Sequence, residues 1–187
     1  SSDLSTNGTT WTAQTSSTIF NILSLTYGNS LFVFGDNAAY IVTSTNGTTW
    51  TNRGNQNGTI NPINCLTYGS GLYVYGSVDA KIATTPDPTV NFNWTVRTQL
   101  TVAGINALTY GNGLFVYVGS TGASGTSTNA ITWTSLTAPT SNALNAVTYG
   151  NGLYVYGGYG ALATSAPNQF YVPAFSNQGT FGTVTTN

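Results

Sequence analysis

Leu108-Thr109-Tyr110-Gly111-Asn112-Gly113-Leu114-Phe115-Val116-Tyr117 reads as two strands joined by a tight hairpin. Aromatic and β-branched residues on both sides favour a pleated, half-buried surface. Gly111-Asn112-Gly113 between them supplies the positive φ angles that a two-residue turn needs. The line returns at 147–156 as Val-Thr-Tyr-Gly-Asn-Gly-Leu-Tyr-Val-Tyr. It returns again at 25–34 and 66–75, with Gly28-Asn29-Ser30 and Gly69-Ser70-Gly71 at the turn.

Working outward, Trp falls at 11, 50, 94 and 133, and Tyr-Gly at 27, 68, 110 and 149. The chain is therefore a repeat with a period of about 40 residues. After the hairpin each unit passes through a Gly-rich turn to a third strand, clearest as Ala39-Tyr40-Ile41-Val42-Thr43. Ser44-Thr45-Asn46-Gly47 makes a second hairpin turn, and a fourth strand carries the Trp in Thr49-Trp50-Thr51. No apolar face recurs at helical spacing, so almost no helix is expected. Four consecutive antiparallel strands per repeat make one blade of a β-propeller. The expectation is an all-β propeller of about four four-stranded antiparallel blades. A parallel β-helix is the weaker alternative, since it has no need for two hairpin turns per repeat. The propeller domain spans 1–173, in units of roughly 11–49, 50–93, 94–132 and 133–173. Residues 174–187 form a C-terminal tail or closing strand.

The Trp strand is in excess. Phe170-Tyr171-Val172 aligns with a fifth copy, while the first three strands occur four times. Trp11 thus heads a surplus outer strand. It closes its own ring, belongs to a preceding blade, or completes a neighbouring chain by strand addition. A closed four-bladed ring is the first expectation. An open or composite propeller completed by neighbouring chains is the second.

Composition bounds the chemistry. Of 187 residues only Asp3, Asp36, Asp79, Asp87, Arg53, Lys81 and Arg97 carry a formal charge, or 4%. An ordinary domain is about a quarter charged. Three cations cannot coat a phosphate backbone, so no nucleic-acid partner is expected. The absence of His and Glu removes most acid–base and metal chemistry, and neither a cofactor nor a metal is expected. Cys65 stands where the other repeats have Ser24, Ala107 and Ala146, and reads as a small buried residue. No run of about 18 apolar residues occurs, so no membrane insertion is expected. Asp36 and Asp79 follow the second strand of their units and read as turn residues at a strand end.

The turn before each Trp resembles the Asp-box, or BNR, repeat of sialidase-like propellers. The matching residues are Ser5-Thr6-Asn7-Gly8-Thr9-Thr10-Trp11 and Ser44-Thr45-Asn46-Gly47-Thr48-Thr49-Trp50. Ser127-Thr128-Asn129-Ala130-Ile131-Thr132-Trp133 is looser, and Thr85 to Trp94 is longer with two prolines. The spacing is one residue short of the sialidase form and Asn replaces Asp. This is similar to the shorter variant followed by Tyr-Gly-Asn-Gly-Leu-Phe-Val in phage and bacterial surface proteins. The resemblance implies a propeller in which Asn7, Gly8, Trp11, Asn46, Gly47, Trp50, Trp94, Asn129 and Trp133 are structural turn residues. It does not imply sialidase activity, which in that family needs three arginines and a Tyr/Glu pair. This chain has two arginines and no Glu.

The expected function is accordingly non-enzymatic: a self-assembling or appendage-forming structural protein, extracellular, at the cell surface or in a virion. Its partners would be other copies of itself or other structural subunits. The alternative is a glycan-binding adhesin or lectin module, in which flat aromatics stack on neutral sugars. The aromatic candidates for that role are Tyr40, Phe92 and Tyr159.

Overall fold

The computed structural model describes residues 2–55, 61–97, 103–137, 140–165 and 176–177. The chain is all-β, a β-propeller of four-stranded antiparallel sheets. A two-stranded hairpin comes first, β1 (Ser2–Leu4) with β2 (Thr12–Gln14). The first sheet is β3 (Ile22–Gly28), β4 (Leu31–Asp36), β5 (Tyr40–Ser44) and β6 (Thr51–Asn55). The second is β7 (Ile63–Gly69), β8 (Leu72–Ser77), β9 (Ile82–Thr85) and β10 (Thr95–Val96). The third is β11 (Ile105–Gly111), β12 (Leu114–Gly119), β13 (Ser124–Ser127) and β14 (Thr134–Ser135). The fourth is β15 (Leu144–Gly150), β16 (Leu153–Gly158), β17 (Ala161–Thr164) and β18 (Ser176–Asn177). Each sheet runs in chain order from inner to outer strand. Among the described residues the one helical feature is a 3₁₀ turn at Ser120–Gly122, and no helix is long and apolar enough to cross a membrane.

Local chemistry explains the strands. The inner hairpins turn on Asn29-Ser30, Ser70-Gly71, Asn112-Gly113 and Asn151-Gly152, all at positive φ. This pair of left-handed residues matches the twist of the flanking strands. The glycine before each turn has another purpose. A Cβ on Gly28, Gly69 or Gly111 would lie about 2.1–2.2 Å from the ring of Tyr68, Tyr110 or Tyr149 in the next sheet. These glycines are seats for a tyrosine, not turn residues.

That seat is the centre of a joint formed three times. At the first, Val33, Ala39 and Ile41 of one sheet meet Ile63, Leu66, Tyr75 and Trp94 of the next. At the second, Cys65, Val74 and Ile82 meet Ile105, Leu108, Phe115 and Trp133. At the third, Ala107 and Val118 meet Leu144, Val147 and Tyr156. Backbone bonds support the apolar packing. Every inner strand carries a register shift near its start, at Leu23, Asn64, Asn106 and Asn145. A bulge re-aims a side chain. Asn64 Nδ2 donates to the carbonyl of Ile105 at 3.0 Å, and Asn106 Nδ2 to that of Leu144 at 2.9 Å. The Tyr73 hydroxyl donates to the Gly28 carbonyl, and that of Tyr154 to the Gly111 carbonyl.

The inner strands pack in the order β3, β7, β11, β15. Among the described residues no comparable joint links β15 back to β3, and the row of sheets they form is open. The surplus N-terminal segment is the β1–β2 hairpin, a sheet of its own, while β18 forms the outer strand of the fourth sheet. Phe170 to Val172, expected to mirror the Trp strand, lie outside the described residues, as does most of 174–187.

The seat predicts an internal contrast. Gly111→Ala drives a methyl into the Tyr149 ring and should cost about 1–3 kcal/mol, as overpacking does. Gly150→Ala, at the equivalent place in the last sheet, meets nothing within 4 Å and should change stability by less than about 0.5 kcal/mol. Urea unfolding of the two variants checks both, and equal losses would contradict the open row.

Candidate functional site

The distinctive surfaces are the two ends of the row. In the inner sheets the joint buries Leu66 and Leu108 to 6% and 8% exposure. Their counterpart in the first sheet, Leu25, is 52% exposed, and Tyr27 beside it is 57% exposed. Tyr27 is nevertheless posed like its counterparts. Its ring leans on Phe32 at 4.5 Å, as Tyr68 leans on Tyr73 at 4.7 Å and Tyr110 on Phe115 at 4.5 Å. The opposite face is uncovered on the last sheet. Gly150 has open space where a tyrosine would sit, Asn145 is exposed and Leu162 is 38% exposed. The β1–β2 hairpin stands before the outer half of the first sheet only. Leu4 Cδ1 lies 3.2 Å from where a Cβ on Gly47 would be.

The charges serve the strands rather than a site. Arg53 Nε donates to Thr43 Oγ1 at 2.9 Å, and Arg97 Nε to the equivalent Thr84 Oγ1 at 2.7 Å. Lys81 pairs with Asp79 at 2.8 Å. Asp36 is fully buried in the β4–β5 turn, where its carboxylate accepts from Thr18 Oγ1 and from the amides of Ala38 and Tyr40 at 2.8–2.9 Å. Partial burial opposes ionisation of Asp79, but hydrogen bonds from Lys81, Ser77 and Asn61 outweigh it and hold the carboxyl below its usual range. No group of three or more Cys, Asp or Glu among the described residues could hold a metal ion.

The turn residues share one network. Asn46 Oδ1 accepts from the amides of Thr48 and Thr49, while Ser44 Oγ accepts from the amide of Gly47. Ser5 and Asn7 repeat this pattern around Gly8, and Asn129 accepts from Ile131 and Thr132. Trp50 Nε1 donates to the Gly47 carbonyl, and Trp133 Nε1 to that of Ala130, both at 3.1 Å. The indole therefore belongs to the turn and lies just before the fourth strand, not within it. The longer second turn hides the same device. Asp87 stands in the Asn position and accepts from Thr89, which lowers its pKa. The extra residues leave the buried Trp94 Nε1 without an acceptor among the described residues.

The aromatics proposed for ligand contact are not gathered. Tyr40 and Tyr159 lie at one end of the first and fourth sheets, beside the turns between second and third strands. Tyr40 is stacked on Phe20 at 5.5 Å, and Tyr159 is exposed. Phe92 is exposed at the other end, in the turn between β9 and β10. Cys65 is buried, and desolvation pushes its thiol up to about 12, so it is not a ready nucleophile.

No protein-family model and no curated protein sequence matches the chain. Solved structures do. The computationally designed Ika4 protein aligns with a TM-score of 0.63 at 14% identity, over 81% of this chain and 94% of that one. YCF48 bound to a D1 peptide aligns with a TM-score of 0.65 at 18% identity, over 86% of this chain and 54% of that one. A nidogen/laminin complex aligns with a TM-score of 0.61 at 15% identity, over 75% and 57%. The chain thus spans about half the length of the last two. At these identities the likeness is one of fold.

The ionisable groups predict an asymmetric pH profile. Asp79 and Asp87 have depressed pKa values, so their stabilisation is complete above the unfolded value of 3.8 and is lost only as pH falls below it. Burial raises Cys65, Tyr73 and Tyr154 to about 12, from 9.0 for the thiol and 10.0 for the phenols. Their contribution is complete below the unfolded values and is lost as pH climbs towards 12. Melting temperature should be flat from about pH 5 to about pH 8.5 and fall in alkali. Marked loss near pH 5 would refute this. Asp87→Asn, which installs the residue of the other turns, should change neutral-pH stability by less than about 0.5 kcal/mol.

Proposed function

We propose that the chain is a non-enzymatic building block of an extracellular, cell-surface or virion structure, and that it self-associates. The observation that carries this reading is the open row, which leaves the apolar inner strand of the first sheet uncovered at one end and an empty tyrosine seat at the other. A surface with four acids and three bases offers little repulsion to keep copies apart. The Asp-box-like turns fit the same reading. Their Ser and Asn side chains bond within their own loops, so they stiffen hairpins instead of reaching for a substrate.

Glycan binding is the second reading, favoured by the stacked Phe20–Tyr40 pair at the same end as exposed Tyr159. Flat rings of this kind suit the apolar face of a neutral sugar. An array of neutral glycans with no signal would remove it.

Self-association should show as growth of sedimenting species with concentration. Because the joining surfaces are apolar, that growth should change little between low and high salt. Imaging of the same samples should show particles larger than one chain. A single monomeric species up to the highest soluble concentration would overturn the proposal.

A further inference from the structure

We propose that the front of the first sheet and the back of the last are two halves of one interface, through which a second copy of this chain continues the row of sheets. This rests on the self-association read above and names its surfaces.

Three internal joints define what the interface must contain. Each seats a tyrosine ring over a glycine of the preceding sheet. The second-sheet and third-sheet joints bury a leucine, Leu66 or Leu108, beside that ring. Two of the joints send an asparagine amide to the next inner strand. The two ends of the chain hold the unmatched parts of a further joint. Leu25, Tyr27 and half-buried Ile22 face outward at the front. Gly150 offers the seat at the back, and Asn145 occupies the amide-donor position. The context of the seat is already proven inside the molecule. Tyr110-Gly111-Asn112-Gly113-Leu114 receives Tyr149, and Tyr149-Gly150-Asn151-Gly152-Leu153 repeats it residue for residue. Tyr27 is held in the docked pose by Phe32, so little ordering is required on joining. None of these inner-strand residues is charged, so their contact desolvates no ion. Among the described residues the chain's own last sheet makes no joint with the front comparable to the three internal ones.

The β1–β2 hairpin fixes how the copies fit. It occupies the outer half of the place before the first sheet, where an outer strand pair belongs, and lacks an inner pair. The second copy supplies that pair as β15–β16. The free edge of β1 then pairs with β16 in place of β17. The hairpin has the parts of an outer pair. It carries the full Ser5 and Asn7 turn, and its Trp11, 59% exposed, stands where Trp94 and Trp133 are buried in complete sheets. In the joint blade Trp11 packs against Tyr156 of the second copy, as Trp94 packs against Tyr75 at 5.0 Å. Front and back are different surfaces, so the contact is heterologous. It closes into a ring or runs on as a filament according to the rotation per copy.

The test uses two full-length variants, each altered at an exposed end residue. Leu25→Arg blocks the front, and Gly150→Trp blocks the back. Circular dichroism and melting first establish that both fold. In sedimentation each alone should stay monomeric where the unaltered chain grows. An equimolar mixture should form a one-to-one heterodimer and nothing larger, because only one free front and one free back remain. Removal of residues 1–14 from the Gly150→Trp chain should weaken that heterodimer at least tenfold. Unchanged affinity would overturn the exchanged hairpin. Growth of either variant alone would overturn these surfaces while leaving self-association standing. An unaltered chain that stays monomeric overturns both readings.

Discussion

A tyrosine ring resting on a glycine with no Cβ is the contact on which the arrangement of sheets depends. Gly28, Gly69 and Gly111 let the inner strands approach until the ring of the next sheet fills the gap. That approach brings the bulged asparagines within reach of the neighbouring carbonyls and places Tyr73 and Tyr154 against the turn before them. An apolar sheet alone cannot hide both faces. Repetition of one joint lets each sheet bury its front against the back of another, as in other repeat architectures. The same logic leaves the first front and the last back unsatisfied.

Scarcity of charge has a structural counterpart. Work done elsewhere by ion pairs is done here by hydroxyls and amides close in sequence. Ser44 and Asn46 satisfy four backbone amides of one turn. Arg53 and Arg97 each turn to a threonine on the adjacent strand. Asp36 is buried because three donors converge on it. Such bonds are short-range and little screened by salt, so the fold gains local definition without any long-range field.

Much of the fold was legible in the sequence because the repeat copies could be read against one another. The Tyr-Gly line and the Trp spacing marked four units of four strands, and the inner hairpins turn where Asn112-Gly113 and its counterparts stand. Other features were hidden. The first glycine of Gly111-Asn112-Gly113 looked like a turn residue, since its neighbour Tyr149 is distant in sequence. Asp87 was masked by two prolines and a longer loop, although it holds the turn as Asn46 does. Periodicity could not reveal whether the row closes, because closure depends on the rotation between sheets. The aromatics Tyr40, Phe92 and Tyr159 looked alike in composition, and only the direction of each strand separates them onto opposite ends.

The serine and asparagine turns carry a further consequence, for chemical ageing. Asn-Gly is the dipeptide in which the glycine nitrogen most readily attacks the asparagine side chain, closing a succinimide that opens to aspartate or isoaspartate. At Asn46-Gly47 that nitrogen is bonded to Ser44 Oγ at 2.8 Å, and the side-chain oxygen is held by Thr48 and Thr49. Asn7-Gly8 is held in the same way by Ser5, Thr9 and Thr10. The bonds that shape these hairpins therefore also keep nucleophile and electrophile from meeting. A chain rich in the most perishable dipeptide is, at these turns, built to last.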